Sequence, residues 1–440
     1  MSCLGTPTVD RRTFLLAGLA AVIGATAKEQ SLRLETFTQW LNATVSTREQ
    51  ALPNCLDHIR KMDPSIHAWV QVQPEEPTGT GKLSGIPFGV KDIIETRGLS
   101  TAYGSTVYKG RIGSDDAAIV RELRGRGGIL LGKTDCAAFA YKTPPPTRNP
   151  RNLEHTPGGS SSGSAAALAA GMVPFAIGTQ TRGSVLRPAS FCGVTGFKPS
   201  YGLLSMEGVL PLAKSLDTLG FFATTPTDML ALWDAMGHPT GPTENFALGV
   251  PEPRQTVDPL MATAFENALI VLKKAGETIR PHDLAGILRR LSEGNNAVMF
   301  YEGARFHEQR YKEFGFRLDP ALVEMIQQGL EMSRKEYDED MQFVASCKPR
   351  FSEIFKTTPV ILTPAAPGPA PFGLASTGDA RMNAPWTSLG TPAITIPIPI
   401  TSGLPLGLQI TADHGQDSRV LSTAVRLYGI LTSASVKASG

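Results

Sequence analysis

The stretch TPGGSSSGSAAALAAG, residues 156–171, places a dense group of hydroxyls directly before an alanine-rich segment. Within it, Gly159-Ser160-Ser161-Ser162-Gly163 satisfies the G-x-S-x-G pattern of α/β-hydrolases, which would select Ser161 as a nucleophile. That pattern needs a hydrophobic strand immediately before the turn, whereas the preceding residues are NLEHTPGG. Dense apolar segments flank the cluster, which argues against a flexible linker. We therefore expect a buried cluster in which Ser161 is not the nucleophile.

A single lysine, Lys91, interrupts the apolar segment GIPFGVKDII at residues 85–94. Burial penalises the ammonium form and lowers the pKa of a lysine, which would make Lys91 a candidate base. The segment alone leaves a second interpretation open, in which Lys91 lies on an edge strand, reaches towards solvent and pairs with Asp92.

A polar turn lies between two apolar runs in AIGTQTRGSVLRPASFCGVTGFKPSYG, residues 176–202. Thr179, Thr181, Gly183 and Ser184 form this turn, and successive backbone N–H groups in such a segment can converge on an oxyanion. Each of the three stretches is ambiguous by itself. Together they predict one hydrolytic site.

The three stretches resemble the amidase signature family of Ser-cisSer-Lys hydrolases. The matching segments are GIPFGVKDII, LLGKTD, NPRNLEHTPGGSSSGSAAALAAGMVPFAIGTQTRGS, PASFCGVTGFKPSYG and LGTPAITIPIPITSGLPLGLQI, between about residues 80 and 420. The resemblance implies that Lys91 is the catalytic lysine, Ser184 the nucleophile and Ser160 the serine between them. It also implies a cis peptide bond between Gly159 and Ser160.

The mechanism implied by the resemblance is a proton relay. Neutral Lys91 takes the proton of Ser160 while Ser160 takes that of Ser184, which attacks the carbonyl to form an acyl-enzyme. No metal or cofactor is needed. The oxyanion would be received by four backbone N–H groups: those of Thr181, Arg182, Gly183 and Ser184.

Two departures from the family pattern affect the predicted substrate site. Arg182 stands where most relatives have glycine, and its side chain either points to solvent or lines the pocket mouth. Gln180 stands where many relatives have aspartate. The form GTQT…GSVLRPA resembles the malonamidase-like branch, in which the equivalents of Thr179 and Arg187 contact a substrate carboxylate; for Arg187 a buried structural ion pair is the alternative. The predicted substrate-binding residues are Thr179, Arg187, Gly159 and Arg182.

Helical and strand patterns alternate along the chain. Residues 32–62 read as helical, 117–135 as a helix followed by a buried strand at 129–131, and 165–170 as a small-residue helix before a strand at 175–177. We predict an α/β fold with a large mixed, twisted sheet flanked by helices. Residues 28–440 would form one domain, in which a helical region at 224–350 covers the site.

The amino-terminal residues 1–27 resemble a twin-arginine export signal, with Arg11 and Arg12 before an apolar run and an Ala-Thr-Ala end. Cleavage would give a periplasmic or extracellular protein without stable membrane association. The charge of the full 440 residues is balanced, with 42 Lys and Arg against 40 Asp and Glu, which argues against a nucleic-acid partner.

The predicted function is hydrolysis of C–N bonds in small amides or carbamates, as in aryl acylamidases and urethanases, with ester cleavage as a side activity. Its partner would be a small-molecule substrate, and the protein a monomer or homodimer. Three alternatives stay open. These are one component of a glutamine-dependent amidotransferase, a hydrolase of malonamate-type amides that carry a carboxylate, and an inactive binding protein in which Arg182 spoils the oxyanion turn.

Overall fold

The computed structural model describes residues 33–400 and 402–439, and the predicted export signal lies outside these residues. Eleven strands of the described chain form one sheet in the order β1-β3-β2-β4-β6-β5-β10-β11-β9-β7-β8. The strands are β1 (Trp69–Glu75), β2 (Pro87–Lys91), β3 (Ile129–Thr134), β4 (Phe175–Gln180), β5 (Thr195–Lys198), β6 (Thr218–Ala223), β7 (Leu248–Glu252), β8 (Ile279–Asp283), β9 (Val360–Pro364), β10 (Ala393–Ile398) and β11 (Leu406–Ala412).

Twelve α-helices accompany the sheet in the described ranges, and the predicted mixed α/β fold is confirmed. They are α1 (Phe37–Asn42), α2 (Val45–Ile66), α3 (Ala118–Gly125), α4 (Ser162–Ala169), α5 (Leu186–Cys192), α6 (Pro226–Ala235), α7 (Pro259–Lys274), α8 (Ala285–Phe314), α9 (Pro320–Glu331), α10 (Arg334–Thr357), α11 (Ala384–Leu389) and α12 (Asp417–Ser439). No helix in the described part of the chain is long and apolar enough to span a bilayer.

The strand that carries Lys91 lies inside the sheet. β2 pairs in parallel with β3 on one side and with β4 on the other, and all five of its residues are buried. Continuous apolar runs are typical of parallel strands that are covered on both faces. The edge-strand interpretation of Lys91 is therefore wrong.

The alanine-rich helix α4 packs closely against its neighbours. Seven of its eight residues are buried. A Cβ at Gly163 would lie 2.2 Å from the carbonyl oxygen of Ala68, so only glycine allows this approach. The small residues therefore hold the serine cluster against the carboxyl ends of β2 and β4, where polar groups of parallel strands converge.

The region predicted to be a helical cover, residues 224–350, also contributes two strands. β7 and β8 pair in parallel with each other, and β7 also pairs with β9, so the region extends the sheet. Each strand is five residues long, and none of the five residues of β8 is fully buried, so no apolar period marked it in the sequence. The helices of the region are α6, α7, α8, α9 and the greater part of α10, and the covering role of the region stays a prediction.

Candidate active site

The side chain of Lys91 is completely buried at the carboxyl end of β2. Its Nζ donates to Ser160 Oγ at 2.7 Å and to Thr179 Oγ1 at 2.9 Å. Burial lowers the pKa of Lys91 to about 8. Asp92 points elsewhere, since its carboxylate accepts from the backbone N–H groups of Ala102 and Gly104. Within the described residues, Lys91 therefore donates to two hydroxyls and to no carboxylate.

The serine cluster separates into one hydroxyl that faces Lys91 and others that bind backbone. The Gly159–Ser160 peptide bond is cis, as the resemblance implied. Ser161 Oγ donates to the carbonyl of Thr179 at 3.2 Å, and Ser162 Oγ donates to the carbonyl of Gly158 at 2.8 Å. Ser161 is fully buried, so the residue that the G-x-S-x-G pattern selects has no open access to a substrate.

Ser184 lies in the turn between β4 and α5 and is 8% exposed. The backbone N–H of Ser161 donates to the carbonyl of Ser184 at 3.4 Å, which joins the two serine segments. The hydroxyls of Ser160 and Ser184 are not hydrogen-bonded to each other in the described structure. The geometry thus provides the contact from Lys91 to Ser160 and places Ser184 beside them.

Gln180 shapes the Ser184 turn from inside, a role that sequence reasoning missed. Its Oε1 accepts from the backbone N–H groups of Val185 and Leu186 at 3.0 and 3.1 Å. Its Nε2 donates to Thr387 Oγ1 on α11 at 3.0 Å. A buried polar residue at the end of an apolar strand was the only signal in the sequence.

Thr181 is fixed by a buried carboxylate that the sequence did not identify. Thr181 Oγ1 donates to Asp217 Oδ1 at 2.5 Å, and Asp217 Oδ2 accepts from the backbone N–H groups of Leu212 and Ala213. The register of β4 with β6 explains the contact, because Gln180 pairs with Thr218. Burial raises the pKa of Asp217 to about 6.

The Arg182 side chain turns towards α8. Its Nε donates to Asn295 Oδ1 and its Nη1 to Asn296 Oδ1, both at 3.0 Å. Its backbone does not have a positive φ, so the side chain fits the turn where relatives have glycine. Of the two alternatives for this side chain, the one that points to solvent is wrong, because α8 offers acceptors that replace water.

Arg187 is buried beside the cis peptide. Its Nη2 donates to the carbonyl of Gly159 and, at 3.2 Å, to Thr377 Oγ1, while its Nε has no hydrogen-bond partner within the described residues. Burial lowers the pKa of Arg187 to about 10, and the neighbouring Arg182 adds to this effect. Arg187 is not in a buried ion pair, and its contact with a substrate carboxylate stays a prediction, as does that of Thr179.

A model of the amidase family matches residues 50–421 of the chain. A glutamyl-tRNA(Gln) amidotransferase chain from Halothermothrix orenii is 30% identical over 446 residues, which cover 86% of this chain and 93% of that protein. The solved structure of the Thermotoga maritima protein of the same name has a TM-score of 0.78 at 26% identity and covers 90% of this chain and 94% of its own.

A further solved structure, described as an amidase, has a TM-score of 0.79 at 27% identity, with 88% of this chain and 96% of that chain covered. The family model spans the strands and turns that carry Lys91, Ser160 and Ser184. The chain belongs to the amidase signature family, whose members are enzymes that cleave amide C–N bonds.

Proposed function

We propose that Ser184 attacks the carbonyl carbon of an amide and that Lys91 activates it through Ser160. Neutral Lys91 accepts the proton of Ser160, and Ser160 accepts that of Ser184 as the C–O bond forms. The backbone N–H groups of the turn from Thr181 to Ser184 receive the oxyanion. Collapse of the tetrahedral adduct breaks the C–N bond, and the relay returns a proton to the leaving nitrogen. Water then attacks the acyl-enzyme and releases the acid.

The contact of the Lys91 side-chain nitrogen with Ser160 Oγ at 2.7 Å carries this proposal. A fully buried lysine with no carboxylate partner among the described residues costs stability, and groups with such perturbed pKa values gather at functional sites. The contact also supports the proposed roles of the two serines, since Ser160 is the hydroxyl of the cluster that Lys91 reaches.

The comparisons favour glutamine as the amide and a multi-chain amidotransferase as the context. The relatives named as glutamyl-tRNA(Gln) amidotransferase chains are 30% identical over most of the chain. In this proposal Ser184 releases ammonia from glutamine, and the protein associates stably with other chains instead of acting as a monomer or homodimer.

The second candidate is hydrolysis of a small amide or carbamate with water as the acceptor. The 27% identical structure described as an amidase favours it. Arg182 and Arg187 also leave two cations beside the nucleophile turn, which would suit a substrate that carries a carboxylate, as in malonamate-type amides. Together with this second candidate, we propose export of the protein through residues 1–27. The test of export is whether the purified exported protein begins near Lys28.

One experiment separates the candidates. The full chain is expressed alone, purified, and assayed with glutamine, anilides, primary amides, carbamates and malonamate-like acids, while co-purifying chains are sought from its native host. Ammonia release from glutamine together with stable partner chains supports the amidotransferase role. Turnover of anilides or carbamates by the isolated chain supports the hydrolase. Failure of an active-site serine probe to label Ser184 would refute both.

Gly183→Ala is expected to lower the rate of Ser184 labelling on the order of 100-fold. A Cβ at Gly183 would lie 2.3 Å from Asn383 Oδ1, so the turn or the Asn383 side chain must shift, and a displacement of the turn of this size removes catalytic alignment. Gly286→Ala is the matched control, because a Cβ there meets no atom within 4 Å. A near-normal labelling rate in Gly183→Ala would show that the turn does not need this alignment.

A further inference from the structure

Arg182 stands where most relatives have glycine, and its side chain takes no part in the proposed proton relay. Its guanidinium is held by one face of α8: Ser292, Asn295 and Asn296 are spaced i, i+3 and i+4 and lie together on that face. Besides the two asparagine contacts, Nη2 of Arg182 donates to the carbonyl of Ser292 at 3.4 Å. All three acceptors belong to α8.

Asn295 closes a ring around the Thr181–Arg182 peptide. Its Oδ1 accepts from Arg182 Nε at 3.0 Å, and its Nδ2 donates to the carbonyl of Thr181 at 3.3 Å. Asn295 is fully buried, so neither group can turn to water if the other is lost. On the opposite side, Thr387 Oγ1 donates to the carbonyl of Arg182 at 2.8 Å.

We infer that Arg182 is a positioning residue, which fixes the oxyanion turn by tying it to Asn295 and Asn296 on α8. This inference rests on the proposed function, because the turn matters only if Ser184 attacks there. The hydrogen bonds of Arg182 connect the turn to α8, which also carries Phe300, whose ring lies edge-on to that of Tyr141 with centroids 6.2 Å apart. A shift of α8 would therefore move the oxyanion donors.

A positive charge alone would act differently from the planar guanidinium group of Arg182, which donates several hydrogen bonds. Lysine keeps the positive charge but presents a single nitrogen, which cannot reach both asparagines in the geometry of a guanidinium. If Arg182 acts by position, then Arg182→Lys and Arg182→Met lose activity alike. If Arg182 only contributes positive potential to the oxyanion, Arg182→Lys retains most of it.

The test measures the second-order rate of Ser184 labelling by a fluorophosphonate, together with kcat and KM for any amide found in the screen. Arg182→Lys and Arg182→Met are expected to label on the order of 10- to 100-fold more slowly, with kcat reduced and KM little changed. Arg289→Met is the control, because Arg289 is an exposed arginine of the same helix. Thermal melts of all variants identify any that fail to fold.

A double-mutant cycle tests whether Arg182 acts through α8. Asn296→Ala removes one acceptor and is the milder change if Arg182→Met proves unstable. The double variant Arg182→Met/Asn296→Ala is expected to be labelled no more slowly than Arg182→Met alone, because both changes remove the same hydrogen bond between the turn and α8. Multiplied effects, or a normal rate in Arg182→Lys, would overturn the inference. Absence of labelling in the wild-type chain would instead refute the proposed function and is seen before any variant is made.

Discussion

Replacement of Ser184 by alanine is expected to abolish covalent labelling and to lower kcat on the order of 10⁴-fold or more. The change removes the attacking oxygen and leaves only binding and the oxyanion donors, which cannot form an acyl-enzyme. Little loss of stability is expected, because Ser184 is the least enclosed member of the relay and its hydroxyl makes no hydrogen bond within the described chain. Intact-mass analysis after treatment with a fluorophosphonate measures the labelling directly.

Ser161→Ala is the matched control for this experiment. Ser161 follows Ser160 in the serine cluster and is the residue that the G-x-S-x-G pattern selects, but its hydroxyl donates to the carbonyl of Thr179. The variant is expected to keep labelling at Ser184. Loss of labelling in Ser161→Ala with full labelling in Ser184→Ala would reverse the assignment of the nucleophile.

The segments that carry the relay could be predicted from sequence because each is local. The lysine within an apolar strand, the serine cluster before a small-residue helix, and the polar turn after β4 each have a recognisable pattern. Their burial follows from the patterns as well, since parallel strands covered on both faces are apolar throughout. Because β2 and β4 are parallel neighbours in the sheet, their carboxyl ends bring Lys91 and the Ser184 turn together, and α4 holds the serine cluster against them.

The residues that support the turn could not be predicted in the same way. Asp217 reaches Thr181, and Asn295 and Thr387 reach Arg182, across long sequence separations that no local pattern marks. The same limit explains why two alternatives stayed open for the Arg182 side chain. A charged side chain in place of a glycine indicates exposure when only its neighbours are known, and the acceptors on α8 appear only in three dimensions.

Two strands were missed for a related reason. β7 is a five-residue run bounded by turn residues, and β8 contains Arg280, His282 and Asp283 in a segment with no apolar alternation. β7 is selected by pairing with β9 and β8 by pairing with β7, and not by their own hydrophobic pattern. The helical pattern that surrounds them therefore dominated the prediction for residues 224–350.

Lys91→Met is expected to remove activity by several orders of magnitude while raising thermal stability. Methionine fills the volume of the buried side chain without a charge, so Ser160 loses its base. Below about pH 8, Lys91 is protonated in both the folded and the unfolded chain. Its lower pKa in the folded chain then costs about 3 kcal/mol of stability, and this cost falls as the pH rises from about 8 towards 10.5. A higher melting temperature at pH 7, together with lost labelling of Ser184, would show both effects; a lower melting temperature would contradict the cost of the buried charge.

The pH dependence of the wild-type enzyme follows from the same group. Only neutral Lys91 can accept the proton of Ser160, so kcat/KM should rise about tenfold per pH unit below about pH 8 and level off above it. The Asp217 carboxylate opposes the effect of burial on the pKa of Lys91. Asp217→Asn is therefore expected to move the rising limb to lower pH, in addition to any loss of rate from the altered Thr181 contact. A profile that is flat between pH 6 and 9 would exclude Lys91 as the base. A limb that moves to higher pH in Asp217→Asn would also exclude it, because loss of the carboxylate lowers the pKa of Lys91.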